Sequence, residues 1–166
     1  MKALLLALML LSALGSGLMA GLFFIFSVTI MDALGRLPPS QGIAAMQSIN
    51  VVILNPIFFA VFFGTAALSV VLAVWSVVAW QDPGSAWLLA GSLLYVVGAI
   101  LVTMVFNVPM NDALAAVDPA SGEGARVWAG YLTDWTRWNH VRTVACVGAA
   151  AALMLAIHFL GRVPAG

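Results

Sequence analysis

Four stretches of this chain carry no Asp, Glu, Lys or Arg and are each long enough to cross a bilayer as a helix: Ala3 to Met31, Val51 to Trp80, Ser85 to Phe106 and Thr143 to Gly161. A hydrocarbon core takes about 20 helical residues. Lipid offers no partner to an open backbone group, so a spanning segment must bond within itself. The expected fold is all-α, a four-transmembrane-helix bundle with both termini on one side. It is read as a single integral membrane domain over residues 1–166, with spans at about 3–33, 51–80, 85–107 and 139–161 and a partly helical, amphipathic connection between helices three and four.

Composition agrees. Charged residues make up 7% of the chain, against roughly a quarter in soluble domains. The net charge is zero, so there is no basic face to gather phosphates, and nucleic acid is excluded as a partner. The expected surroundings are membrane lipid, with multi-pass insertion in the cell membrane. Lys2 before an apolar run, with small residues from Ala13 to Gly17, imitates a secretory signal. The run continues to Met31, past the roughly 7–15 residues of a signal core, and is read as a span. The single Cys146 lies inside an apolar run and has no intrachain partner for a disulfide.

Between the first two spans, Gly35-Arg36-Leu37-Pro38-Pro39 makes a connection. A less apolar lead-in follows, with Gln41, Gln47, Ser48 and Asn50. Pro56 falls inside the expected second span, where it removes a backbone bond to Val52 and predicts a kink. Gln81-Asp82-Pro83-Gly84 is a tight turn that makes helices two and three a hairpin. Helix three is expected to run to about Phe106 and to be disturbed by Pro109. Pro119-Ala-Ser-Gly-Glu-Gly breaks the stretch that follows, and Trp128, Tyr131, Trp135, Trp138 and Arg142 then recur at helical spacing into helix four. Small residues four or seven apart (Ala13, Gly17 and Gly21; Ala60 and Gly64; Gly91 and Gly98; Ala145 and Ala149) predict close helix contacts. The faces left over permit a homo-oligomer. Lys2 and Arg162 share one side while Arg36, Arg126, Arg137 and Arg142 lie toward the other, which would put the longer loops in the cytoplasm. Arg137 and Arg142 also belong to a dense polar set that could serve a site, so orientation stays open.

Polar groups concentrate at two neighbouring membrane boundaries. Asn107 and Asn111 are one helical turn apart, on one face, with Pro109 between them. Trp135, Trp138, Asn139 and Arg142 fall at i, i+3, i+4 and i+7, again on one face. Such groups must satisfy one another, face water or hold a guest. If the two faces meet, they form a pocket with amides, two stacking surfaces and one positive charge. That suits a flat, oxygen-bearing aromatic or a small acid. His140 adds a side chain that changes charge near neutral pH. Plainer readings use the same residues: tryptophans as an interfacial belt, the Asn-Pro-Asn run as a helix stop, Arg142 paired with Asp112 or Asp134, and Asn50 and Asn55 patching carbonyls freed by Pro56. One Cys and two His separated by a span give no metal or haem ligand cluster, and neither a phosphate-cradling Gly-rich loop nor a G-x-S-x-G elbow is present.

Taken together, Gly17-Leu-Met-Ala-Gly21-Leu-Phe-Phe, Asn55-Pro56, Asn107-x-Pro109-x-Asn111 and Trp135-x-x-Trp138-Asn139-x-x-Arg142 resemble the anthrone oxygenase-like family of small four-helix membrane proteins. The resemblance implies the same bundle, and it implies oxidation of an anthrone-like or quinone-type aromatic by molecular oxygen without an evident cofactor. It further implies that Trp135 and Trp138 stack on the rings. Asn107, Asn111 and Asn139, with Asn55, would orient oxygens, Arg142 would stabilise enolate charge, and Asp112 or His140 would serve as base. The competing expectation is a non-catalytic membrane protein that binds a small amphiphile or acts as an accessory subunit.

Overall fold

The structure, a computed structural model, describes residues 2–160. Helix α1 spans Lys2–Gly35, α2 Pro39–Val52, α3 Pro56–Val78, α4 Ser85–Ala115 and α5 Gly122–Leu160. Helices α1, α3, α4 and α5 are long and apolar enough to cross a membrane, and no strand occurs among the described residues. The protein is the all-α, four-span bundle expected from its apolar runs.

Helix lengths divide the molecule into a membrane part and a cap. At 1.5 Å per residue, the 23 residues of α3 reach about 35 Å, close to a hydrocarbon thickness of about 30 Å. The 34, 31 and 39 residues of α1, α4 and α5 reach about 51, 46 and 58 Å. Their surplus lies at one end. At the other, Leu5, Trp75, Gly84, Leu88 and Leu160 surround one small cleft, so the start of α1, the α3–α4 turn and the end of α5 are level. The protruding ends of α1 and α4, the start of α5 and all of α2 form the cap. Its core is a cluster that includes Phe26, Met31, Leu34, Ile43, Met46, Leu114, Trp128, Tyr131 and Trp135. Gln47 ties α2 to the cap: its Nε2 donates to Leu114 O at 2.8 Å and Val117 O at 3.1 Å, carbonyls left open by the end of α4.

The second span does not start near residue 51 with a kink at Pro56. The chain leaves α2 at Val52 and re-enters helix at Pro56, the first helical residue of α3. The residue before a proline is pushed out of the helical region, and Asn55 is extended at φ −118°, ψ 161°. Its Oδ1 accepts from Ile57 N (3.1 Å) and Phe58 N (3.0 Å), and its Nδ2 donates to Val52 O (3.1 Å). One side chain therefore closes one helix and opens the next.

Helix α4 does not stop at Phe106; it passes Pro109 and ends at Ala115. Two wide turns, Val96–Leu101 and Thr103–Asn107, precede the proline, and the Val108 N–H bonds Thr103 O, five residues back. Pro109 then falls in the first turn of the α-helical segment that follows, where its missing N–H leaves no gap. A third wide turn occupies Phe26–Ile30 in α1. In α5 the break at Pro119 is confined to residues before Gly122, and one helix runs from there to Leu160 instead of beginning near 139. Gly161, the expected end of the fourth span, and Arg162 lie outside the described residues.

Small residues join the helices, by a different ridge from the one read in α1. Gly17, Gly21 and Gly64 have no neighbour within 4 Å beyond their own surroundings. The inward face of α1 is Ser12, Gly15, Ser16, Met19 and Phe23. A side chain at Gly15 would collide with the Thr65 hydroxyl of α3, and Gly91 of α4 lies where a Cβ would sit 3.0 Å from Ala149 O of α5. Serine hydroxyls decide the rotation of α1, since they lose by facing lipid: Ser12 and Ser69 bond to each other at 3.2 Å.

Candidate functional site

Where the cap meets the membrane part, α1, α2, α3, α4 and α5 surround a cavity of about 190 Å³. Phe23, Phe26, Phe58, Phe62 and Trp135 contribute aromatic walls, and the polar lining is Asn50, Thr103, Asn111 and Arg142.

Arg142 dominates it. The side chain is 5% exposed. Its NH2 donates to Asn139 Oδ1 at 2.6 Å and its NH1 to Thr103 Oγ1 at 3.2 Å, while Nε has no partner. The guanidinium carbon lies 4.2 Å from the Phe23 ring centroid and 5.1 Å from that of Trp135. Neither Asp112 nor Asp134 pairs with it; among the described residues its partners are a hydroxyl, an amide and two rings. These solvate the cation without neutralising it. A buried charge is otherwise found paired; this one is held by neutral groups.

The residues around Arg142 set its position. Asn139 is fully buried, and its Nδ2 donates to Phe23 O and Ser27 Oγ, both at 2.7 Å, which turns its Oδ1 toward Arg142. Phe23 and Ser27 straddle the wide turn that opens at Phe26, and Thr103 begins one in α4. Such turns re-aim side chains at sites; here the one in α4 delivers Thr103 to the guanidinium and the one in α1 delivers Ser27 to Asn139, which holds it. Asn111 Oδ1 accepts from Tyr131 OH (2.7 Å) and Trp135 Nε1 (2.8 Å), so Asn111 offers only N–H donors to the cavity. Asn50 also lines it, and its buried amide nitrogen has no hydrogen-bond partner among the described residues.

Of the residues singled out from sequence, Asn111, Trp135 and Arg142 line the cavity together. Asn107 and Asn139 stand behind it: Asn107 is buried and donates to Trp135 O at 3.2 Å, with its own Oδ1 unpartnered. Trp138 points elsewhere, stacked on Phe106 with ring centroids 3.5 Å apart and planes 5° from parallel. The inward stripe is instead Trp128, Tyr131 and Trp135, stacked in series at 5.6 and 5.7 Å and buried in the cap, not spread as an interfacial belt. Asn55 is used up at the α2–α3 break. Asp112 and His140 are exposed, and neither lines the cavity. The reason is angular: each residue turns a helix by about 100°, so Asp112 is rotated off the Asn111 face and His140 lies nearly opposite Arg142. Among the described residues no three His, Cys, Asp or Glu side chains converge as metal ligands would.

Sequence reasoning passed over Thr103, Phe23, Ser27, Phe58 and Phe62. Thr103 left a readable trace, one turn before Asn107 and two before Asn111 in an otherwise apolar run. The phenylalanines left none, because an aromatic in a span is ordinary.

The anthrone oxygenase family model matches residues 58–152, more than half of the chain. The protein belongs to the anthrone oxygenase family. The match contains Thr103, Asn107, Asn111, Trp135, Asn139 and Arg142, and it leaves α1 and α2, with Phe23 and Asn50, outside. No curated protein and no solved structure matches the chain.

Proposed function

We propose that this family member is a cofactor-independent membrane oxygenase acting on an anthrone-like or related acidic aromatic, with Arg142 as its oxyanion-stabilising residue. One observation carries the reading: a buried guanidinium without a carboxylate partner among the described residues faces an aromatic cavity at the membrane boundary. An anthrone methylene is acidic because its anion is an aromatic enolate, and that anion reacts with dioxygen directly. Overall the methylene loses two hydrogens, one oxygen atom becomes the new carbonyl and the other leaves as water.

Asp112 and His140 have no place at the cavity, so base catalysis by either is not part of the proposal. Ionisation instead precedes enclosure. The substrate gives its proton to water at the membrane surface, with its apolar part already in lipid, before it is sealed in, and the cavity selects the anion, whose oxygen lies against Arg142 while its rings pack on Trp135 and the phenylalanines. Placing fixed positive charge where negative charge is held, in a site closed to bulk water, is the largest single lever available to an enzyme. Asn139 and Thr103 are positioning residues, since they hold the guanidinium. An apolar cavity of about 150 Å³ takes up benzene; about 190 Å³ encloses one or two fused rings, and a third ring projects through the mouth.

The test uses purified protein in detergent, an anthrone and oxygen, with quinone followed by absorbance and dioxygen by electrode. Arg142→Ala is expected to lower the rate by about 10²-fold or more, the scale of losing a principal oxyanion donor. Arg142→Lys should fall between the two. Equal rates for wild type and Arg142→Ala would falsify the assignment. The cavity's lack of a carboxylate or imidazole favours a second reading, a binding protein for an acidic aromatic. In that case ligand quenches Trp135 fluorescence and no oxygen is consumed.

A further inference from the structure

The cavity wall has one side open to the outside, and that side is entirely apolar. Leu54, Phe59, Phe63 and Met104 line the cavity while remaining 59%, 39%, 46% and 52% exposed, whereas the polar lining residues Asn50, Thr103, Asn111 and Arg142 are half-buried or buried. Phe59 and Phe63 lie three and seven residues into α3, about 5–10 Å below its start at the 1.5 Å rise of a helix. Because α3 is only just long enough to span, that depth falls within hydrocarbon. Met104 faces the same level from α4. On the cap side Phe26, Met46 and Trp135 are buried, Asn50 and Asn111 are half-buried with the Asn111 Oδ1 taken up by Tyr131 and Trp135, and α2 is held over the cavity by the two hydrogen bonds from Gln47.

We infer that ligands reach Arg142 sideways from the bilayer, through a portal between α3 and α4 rimmed by Phe59, Phe63 and Met104, and not from water through the cap. This rests on the reading of the cavity as an acidic-aromatic site and adds the class of molecule it takes: one that partitions into lipid, with an ionisable oxygen on a ring system and room for an apolar extension. The extension stays in the hydrocarbon while the ring and its oxyanion occupy the cavity. A water-facing entrance would have polar rim residues and would reject such an extension, since the enclosed volume has no space for it.

The portal is tested by binding in liposomes, read as quenching of tryptophan fluorescence, with two probes. One is a hydroxynaphthoquinone whose hydroxyl is ionised at neutral pH; the other is the same ring carrying a dodecyl chain. Both should bind the wild-type protein and lose binding in Arg142→Ala, and the chain should not weaken binding. Met104→Phe adds bulk at an exposed rim position without touching Arg142. It should slow association of the chain-bearing probe by about tenfold, because a gate acts on the on-rate, and leave the melting temperature unchanged. Binding of the short probe with exclusion of the long one overturns the portal, as does an unchanged association rate in Met104→Phe. Failure of both probes to bind overturns the portal together with the acidic-aromatic site. Binding of both, without oxygen uptake on an anthrone, removes the oxygenase reading and leaves the portal standing.

Discussion

The two ends of the bundle solve opposite problems with the same helices. Toward the α3–α4 turn, Met9, Leu72, Leu88, Leu153 and Ala156 fill the core. Gly15 lies against Thr65 and Gly91 against Ala149, and α1 and α4 keep regular geometry there. Toward the cap, the wide turns at Phe26–Ile30 and Thr103–Asn107 appear, and large aromatics replace small residues. The only buried arginine among the described residues lies there, beside the cavity. Close approach of backbones excludes voids; rings and re-registered turns hold helices apart and leave room. The contrast teaches that in this fold the site is made by local departures from helix regularity, while the dry end holds the helices in place so that those departures are tolerated.

That contrast can be broken from either end. The largest effect is expected at Arg142. Besides the loss of rate described above, Arg142→Ala should leave thermal stability equal or higher, since removing an unpaired buried charge relieves its desolvation penalty. A large fall in melting temperature would make Arg142 part of the scaffold and erase the distinction between the two ends. Next in size, Gly91→Leu should destabilise by about 1–3 kcal/mol through overpacking, because its Cβ would meet Ala149 O and Leu153 Cγ at 3.0 Å. Gly64→Leu, with open space around it, is the control and should melt like the parent. The activity that remains in Gly91→Leu should track the folded fraction alone.

Smaller effects sharpen the site itself. Trp135→Leu should weaken ligand binding by roughly tenfold, on the scale of about 0.5–1.5 kcal/mol for one aromatic contact beyond its area. Trp138→Leu, which loses only its stack on Phe106, should bind as the wild type does; a reversal of that order would mean the guest sits on the outer face. Smallest of all, Asp112→Asn and His140→Gln should each keep activity to within about twofold, the reach of an exposed substitution. A loss of tenfold or more in either would restore the base role that their place in the structure does not support.

Much of this was legible in the chain. Charge-free runs fixed the class and the number of spans, because no other fold hides that much backbone from lipid. The i, i+4 spacing of Asn107 and Asn111, and the i, i+4, i+7 spacing of Trp135, Asn139 and Arg142, marked the faces that meet. Misreadings came where a local rule had two outcomes. Pro56 was compatible with a kink or a start, and the Asn55 side chain selected the start. Pro109 was compatible with an end or a continuation, and a wide turn selected continuation. Trp138 shared sequence spacing with Trp135, but a small rotation of α5 gave it to Phe106.

What the sequence by itself determined is the membrane-spanning all-α class and the set of polar residues, Arg142 among them, near the ends of the spans, since the partition of charge between lipid and water leaves little choice. What only the tertiary structure decided is that Arg142 is buried with no acidic partner among the described residues, that α1 and α2 help enclose its cavity, and that the exposed residues lining it are apolar. Those are relations between helices distant in sequence, fixed by how their faces rotate and by where each helix widens. A one-residue turn of about 100° is enough to exchange an inward group for an outward one, and the pairing of such rotations is set only when all the helices pack together.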